Sequence, residues 1–322
     1  MNILVDQHHA DLLYGLQVLF EDHLGIDLYV PKGHAWWDKG YWRFGEAIAG
    51  DDRLAQQYLR DEPSVIYDRA HPHRPIRTVT LEEARGMEWV GVMATVAENQ
   101  QGFARFASEH SARYLYHVGN TRQWVDWSLD PFVLNAAEAP MEGQGVLVAE
   151  MMDDSFAYQP LTTERQVTSF VNLLPAIPWS WQKYTDLRDR LPEYDFASYG
   201  HDCPDGFLEP VSRVAEAMAA SSWGFHDKPT GDGFGHVLHG WAAIGRPLIG
   251  HASYYQGQRG EHLWQDGVTC IDLDQHSIDE AAELIRTADL PAMSRAIRAE
   301  FETIDFEQGI PELRDLLTLV PA

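Results

Sequence analysis

Between Lys228 and Gly250 the chain sets a lysine, glycines at alternate positions 231, 233 and 235, an apolar run at helical spacing and a glycine stop. Without a Cβ, Gly231, Gly233 and Gly235 let backbone N–H groups approach a ligand closely. The helix start behind them favours negative charge, because its first amides and aligned peptide dipoles point at the turn. Lys228, just ahead of the turn, adds an ammonium suited to a phosphate. Val237, Leu238, Trp241 and Ala242 form the apolar stripe of that helix. Gly245 stops it, and Pro247-Leu-Ile-Gly250 reads as a buried strand. The spacing predicts a diphosphate site in an α/β domain; a plain strand–turn–helix connection with structural glycines is the alternative.

A second reactive set lies near the start. In Asp6-Gln-His-His-Ala-Asp11, the imidazole of His8 or His9 can take a proton near neutrality, or can hold the loop without moving one. Trp36, Trp37, Tyr41 and Trp42, with Lys39 and Arg43, form an aromatic cluster. Its faces suit sugar rings or nucleobases, or close a satellite core. Arg69, His71, His73, Arg74 and Arg77 make the local basic run of the first half, in a stretch read as loop after Val65-Ile-Tyr67. That run is a track for phosphates or a solvated loop. Asp272 and Asp274 have the spacing of a metal motif, yet fall at a strand end far along the chain from the glycine turn. They read as surface polar, and no metal site is expected. His226 and Asp227 close a strand just before Lys228.

Alternating strands and helices must position these groups. Asn2-Ile-Leu-Val5 is a buried-strand run, a helix spans 11–25, and Ile26-Asp-Leu-Tyr-Val30 is the next strand. Strands follow at 89–94, 114–118, 132–135 and 145–149, with a helix over 99–110. The second half repeats the theme, with strands at 167–171, 194–199, 222–226, 247–250 and 268–273. Helices span 179–191 and 210–220, and Ser277 with Glu280 forms a capping box. The tail from 293 to 319 is helical, interrupted at Gly309-Ile-Pro311. Such alternation predicts parallel sheets covered on both faces. The expected architecture is α/β, with two Rossmann-like domains facing across a cleft. The domains are expected at 1–158 and 159–300, followed by a helical segment at 301–322, with a polar hinge near 153–164.

A chain of 322 residues is long enough for two such cores. The formal net charge is −25, from 49 acidic against 24 Lys and Arg residues. That balance opposes broad attraction to nucleic acid or anionic membrane, though not a local basic groove. No apolar run is long enough to span a bilayer, and the start turns polar too soon for a secretory leader, so a cytoplasmic protein is expected. Cys203 and Cys270 make neither a disulfide framework nor a metal set.

The order Asp232-Gly-Phe-Gly235, then Gly240-Trp-Ala-Ala-Ile-Gly245, then Pro247-Leu-Ile249 resembles the donor-binding segment of GT-B glycosyltransferases, especially the retaining group that uses nucleotide sugars. That segment runs Glu-Gly-Phe-Gly, a helix with Glu-Ala-Met-Ala, Gly, and Pro-Val-Ile. Asp232 stands where the first glutamate would be. Gly240 replaces the second, which usually holds the ribose, so either that contact falls to a residue such as His239 or Glu261, or the nucleotide preference is unusual. The arginine–lysine pair expected after the first strand of the second domain is absent from Asn172 to Lys183, leaving Lys183 or Arg246 as substitutes. Segments 28–42 and 266–274 are also similar to glycosyltransferases of tailed bacteriophages and some bacteria.

The resemblance implies transfer of a sugar from a nucleotide sugar, with a UDP-sugar as co-substrate and neither cofactor nor metal. It also implies that residues 1–158 form the acceptor side and 159–300 the nucleotide-sugar side, with 301–322 crossing back to the first domain. It implies donor contacts from Lys228, Gly231, Gly233, Phe234, Gly235 and His236, joined by His201, Ser253 and Tyr254 at neighbouring strand ends. Asp232 and His8 or His9 are the implied catalytic groups, and Asp11, Trp36, Trp37 and Arg74 the acceptor side. Retention needs no enzyme base, since the leaving phosphate can take the acceptor's proton; inversion would use a loop histidine. The implied acceptor is a hydroxyl, on a hydroxylated or hydroxymethylated pyrimidine of phage DNA or on a glycan, lipid or small molecule. An epimerase, a hydrolase or a non-catalytic sugar-nucleotide binder of the same fold is the competing reading.

Overall fold

The computed structural model describes residues 1–6, 9–32, 63–120, 123–229 and 231–318. The chain divides into two compact units, Met1–Met151 with Phe306–Ala322, and Met152–Asp305.

In the first unit, β1 (Asn2–Val5) leads into α1 (Ala10–Gln17), which continues as a π-helical turn over Val18–His23. Gly25 breaks the chain with φ +68° ahead of β2 (Asp27–Pro31). Then come β3 (Val65–Tyr67), β4 (Pro75–Val79), α2 (Leu81–Arg85), β5 (Gly91–Ala94), α3 (Gln100–Glu109), β6 (Arg113–Val118), β7 (Phe132–Asn135) and β8 (Gly145–Leu147). They form one sheet in the order β3-β4-β2-β1-β5-β6-β7-β8. All neighbours are parallel except β3, which is antiparallel to β4. Ile3, Leu4 and Val5 are fully buried, as a strand covered on both faces requires. The stretch expected to be loop after Tyr67 is partly strand. Ile76, Thr78 and Val79 are buried, so Arg77 sits in a sheet rather than on a solvated loop. A capping box from Thr80 to Glu83 starts α2.

The second unit carries β9 (Gln166–Ser169), α4 (Pro178–Arg190), β10 (Asp195–Ser198), α5 (Val211–Ala220), β11 (Trp223–Phe225), α6 (His236–Ile244), β12 (Leu248–Gly250), β13 (Cys270–Asp272), α7 (Ile278–Thr287) and α8 (Leu290–Phe301). Its sheet is parallel throughout, in the order β10-β9-β11-β12-β13. The order reverses between β9 and β11, and it reverses between β1 and β5 in the first unit. In open parallel sheets, ligands settle outside the carboxyl ends at such a switch point. Trp241, Leu238 and Ile244 bury the inner stripe of α6 against Met218, Phe170 and Ile297. Ser277 and Glu280 form the expected capping box on α7.

The last helix, α9 (Ile310–Thr318), belongs to the first unit. Arg314 donates to the His23 carbonyl at 3.0 Å, and the Gly309 backbone lies so close to Leu147 that a Cβ there would stand 2.4 Å from its carbonyl oxygen.

Candidate donor site in the second unit

At the switch point, β11 ends in buried His226 and Asp227, and the chain then turns through Lys228 to Gly235 into α6. Gly235 is the N-cap of α6 and carries no side chain, so no side-chain oxygen caps the first turn of the helix. Gly231 and Gly233 adopt φ +64° and +63°, the left-handed region where glycine is favoured. Their amides are not bare, contrary to the sequence expectation. Gly231 donates to the Lys228 carbonyl at 2.9 Å, and Gly233 donates to Gln258 Oε1 at 2.8 Å. Gln258 Nε2 in turn donates to the Tyr254 carbonyl at 2.8 Å. The Gln258 amide lies so close over the turn that a Cβ on Gly231 would fall 2.1 Å from its Nε2.

Asp232 is nearly buried, its side chain 10% exposed. His226 Nε2 lies 2.8 Å from Asp232 Oδ2, and the Lys228 ammonium pairs with the other oxygen. Burial alone would raise the Asp232 carboxyl. The hydrogen bond from His226 and the charges of His226 and Lys228 overcome it, and hold the carboxyl well below the usual range. Lys228 keeps 43% of its side chain exposed, so it is shared between Asp232 and solvent. Asp227 is fully buried, and neither of its carboxylate oxygens has a hydrogen-bond partner among the described residues.

A second cation reaches the same sheet edge. Lys183, on α4, donates to His251 Nε2 just past β12. His251 Nδ1 lies 2.9 Å from Asp274 Oδ1, which fixes the tautomer that leaves Nε2 as acceptor. His251 Nε2 is also 3.9 Å from Asp227 Oδ1. Ser253 donates its amide to Asp274 Oδ2 at 2.8 Å, and the Tyr254 ring leans on His251 with centroids 4.8 Å apart. Asp272 is buried rather than superficial. It accepts the amides of Ala252 and Asp274, each at 3.0 Å, and so staples the ends of β12 and β13 together. Among the described residues, no group of three or more His, Cys, Asp or Glu side chains is placed to hold a metal ion.

Several of the expected contact residues are engaged within the second unit itself. Phe234 is 2% exposed and stacks flat on the buried His239, with centroids 4.0 Å apart. It is a packing residue under the turn. His239 donates to the Gly235 carbonyl through Nδ1, and burial drives its imidazole down to about 3. Gly240 faces the core, where a Cβ would stand 3.0 Å from Phe156 Cε1, so a glutamate has no room there. Arg246 is fully buried and donates to the carbonyls of Ser221, Gln159, Pro160 and Ala219 at 2.6–3.0 Å. Its guanidinium joins residues 159–160 to 219–221 and is fully engaged with backbone carbonyls. Glu261 is exposed and accepts the Gly257 amide. His201 is exposed after β10 and stacks on Phe207 at 4.5 Å.

In the first unit, Asp6 ends β1 beside the switch point. It accepts Thr95 N at 2.6 Å, Thr95 Oγ1 at 2.7 Å and Asn99 Nδ2 at 3.0 Å. Burial outweighs these bonds and pushes its carboxyl up to about 6. His9 is the exposed N-cap of α1. Asp11 Oδ1 lies 3.0 Å from His71 Nε2, and His71 stacks on Tyr14. Arg74 pairs with Glu21 and Asp22, and Arg77 with Glu21 and Asp27. Arg74 and Arg77, two arginines of the basic run, are therefore neutralised by neighbouring carboxylates. His8, Trp36 and Trp37 lie outside the described residues.

Two parallel, Rossmann-like units with these strand orders define the GT-B fold. No family model matches the sequence, and no curated protein matches it. Solved glycosyltransferase structures of that fold do. Anabaena HepE in complex with UDP and glucose is similar over 99% of this chain and 99% of its own, at 13% identity and a TM-score of 0.63. Sucrose-phosphate synthase from Thermosynechococcus elongatus is similar over 99% and 98%, at 10% identity and a TM-score of 0.62. The pneumococcal O-GlcNAc transferase GtfA in complex with UDP and GlcNAc is similar over 78% of this chain, at 14% identity and a TM-score of 0.57, and this chain spans 62% of its length.

Proposed function

We propose that the protein is a glycosyltransferase that moves a sugar from a UDP-sugar to a hydroxyl acceptor, with the second unit as donor site. The observation that carries this reading is the glycine-capped start of α6 at the carboxyl edge of β11, with Lys228 and Lys183 converging on that edge. The HepE and GtfA structures, alike in fold, hold UDP, which supports the same donor here. When the bond from the sugar to the diphosphate breaks, negative charge gathers on the leaving phosphate. Amides at Gly235, His236 and Val237, with the two ammonium groups, are preorganised to stabilise that charge. Asp232 is ionised at neutral pH, so it acts as an acceptor for sugar hydroxyls. The acceptor's proton leaves to an oxygen of the departing phosphate or to an enzyme base.

A neutral acceptor fits better than a hydroxymethylated pyrimidine of duplex DNA. Arg74 and Arg77 are committed to carboxylates, and the chain carries a net charge of −25. Among the described residues no helix is long and apolar enough to cross a membrane.

Calorimetry with UDP and UDP-sugars, followed by mass spectrometry of acceptors incubated with the bound donor, tests the reading. Lys228→Ala and Lys183→Ala should each weaken UDP binding by about tenfold in protein that circular dichroism shows to be folded at the assay temperature. Donor that binds and is never consumed would instead support a non-catalytic binder, and consumption without acceptor a hydrolase or epimerase.

A further inference from the structure

A cavity of about 300 Å³ opens in the first unit at the carboxyl ends of β6 and β7, walled by Trp124, Trp127, Val125, Val133 and Met141, with Glu142 at its rim. Its volume falls at the lower end of the range for small-molecule sites. The loop that carries Trp124 is rigidly built. Gln123 Nε2 donates to the carbonyls of Thr95 and His117, each at 2.7 Å, and its Oε1 accepts the Gly119 amide at 3.1 Å. The Trp124 carbonyl accepts Gln100 Nε2 and the Tyr116 hydroxyl at 3.1 and 3.0 Å. Despite this anchoring, the Trp124 side chain stays 60% exposed. Trp124 lines the cavity together with Trp127, so its anchored loop holds an accessible aromatic face at that opening.

The opposite wall is also fixed. Asn135 clamps both the amide and the carbonyl of Ala139, at 3.1 and 2.7 Å, and the Gly143 backbone lies on Trp127, where a Cβ would stand 2.6 Å from Cε3. Among the described residues of the two loops, 123–130 and 136–144, the charged side chains are Asp126, Asp130, Glu138 and Glu142, all acidic. Of these Glu142 lines the cavity itself, and its carboxylate disfavours phosphates and other anions there. Aromatic faces suit the C–H face of a pyranose ring, and a rim carboxylate accepts hydrogen bonds from paired hydroxyls.

We infer that this cavity is a saccharide-binding subsite that seats a neutral pyranose ring of the acceptor between Trp124 and Glu142. The inference builds on the transferase reading, because it supplies the acceptor class that the donor site leaves open. The subsite and the donor site lie on different units, so binding alone separates the two claims.

The test is calorimetry and saturation-transfer NMR on the full chain, with methyl α-glucoside, methyl β-galactoside, methyl β-N-acetylglucosaminide and cellobiose as probes and UDP as control. At least one probe should bind the wild type. Trp124→Ala should weaken it by about tenfold, Trp124→Phe should restore most of the loss, and Glu142→Gln should weaken it less. UDP affinity should not change in any of these variants. Saccharide binding that is equal in the wild type and Trp124→Ala overturns the subsite, as does failure of every probe while UDP binds. Saccharide binding lost in Trp124→Ala by a protein that does not bind UDP supports the subsite and removes the donor reading instead.

Discussion

His226 Nε2 stands 2.8 Å from Asp232 Oδ2, so a buried imidazole orients the carboxylate of the glycine turn from the end of β11. The pair gives a short aspartate a fixed direction, with Lys228 on its second oxygen. We expect His226→Leu to cost about 1.5–3 kcal/mol, because a nearly buried carboxylate loses its donor. The depressed Asp232 carboxyl contributes stability above its unfolded value near 3.8, and this is lost as pH falls below it. In His226→Leu the carboxyl loses part of that protection, so acid unfolding of the second unit should begin at higher pH. Circular dichroism over an acid titration measures both effects; an unchanged acid midpoint would show that Lys228 alone holds the carboxylate.

The strand series was legible because its cores are built from unbroken apolar runs, such as Ile3 to Val5 and Trp223 to Phe225. The glycine turn was legible because Gly231 and Gly233 do adopt positive φ. β4 was not, since Pro75 and Arg77 interrupt the pattern that sheet burial on one side still satisfies. Contacts made across distant stretches left no local trace. Gln258 meets Gly233 from 25 residues away, and Lys183 meets His251 from 68. Phe234 reads as a surface turn residue until α6 is seen to fold His239 beneath it. An arginine buried on backbone carbonyls, as Arg246 is, looks in sequence like any surface cation.

Gln258 holds the Gly233 amide that a phosphate oxygen would otherwise take. Donor binding through that amide has to displace an intramolecular hydrogen bond of about 0.5–1.5 kcal/mol. Gln258→Ala should therefore tighten UDP binding by about two- to tenfold. Calorimetry decides it: unchanged affinity would mean that the diphosphate uses the first turn of α6 and never reaches Gly233.

Arg246 joins residues 159–160, 219–221 and α6 through backbone carbonyls, those of Ser221 and Ile244 in buried hydrogen bonds. Removing it leaves buried acceptors unsatisfied, each at about 1–3 kcal/mol, so Arg246→Met should be among the most destabilising substitutions in the second unit. UDP affinity of whatever fraction remains folded should match the wild type. A variant that folds normally but loses UDP would return Arg246 to the phosphate site.

Asp6 should make the first unit respond to mild acid in the opposite sense to Asp232. Its carboxyl is raised to about 6 in the folded chain, against 3.8 for an unperturbed aspartate, chiefly by burial. Between those values the folded state binds the proton more tightly than the unfolded state, so this group's contribution favours folding at the acid end and declines as pH rises to about 6. A shift of this size corresponds to a destabilisation of up to ~3 kcal/mol, full above pH 6 and absent below about 4. Asn mimics the protonated acid in shape and has no charge to bury. The stability gap between Asp6→Asn and wild type should therefore move in favour of the variant as pH rises from about 4 to about 6.5. Urea titrations of both proteins across that range isolate the effect, since every other titrating group is common to the two. A gap that stays constant with pH would show that Thr95 and Asn99 fully compensate the buried charge.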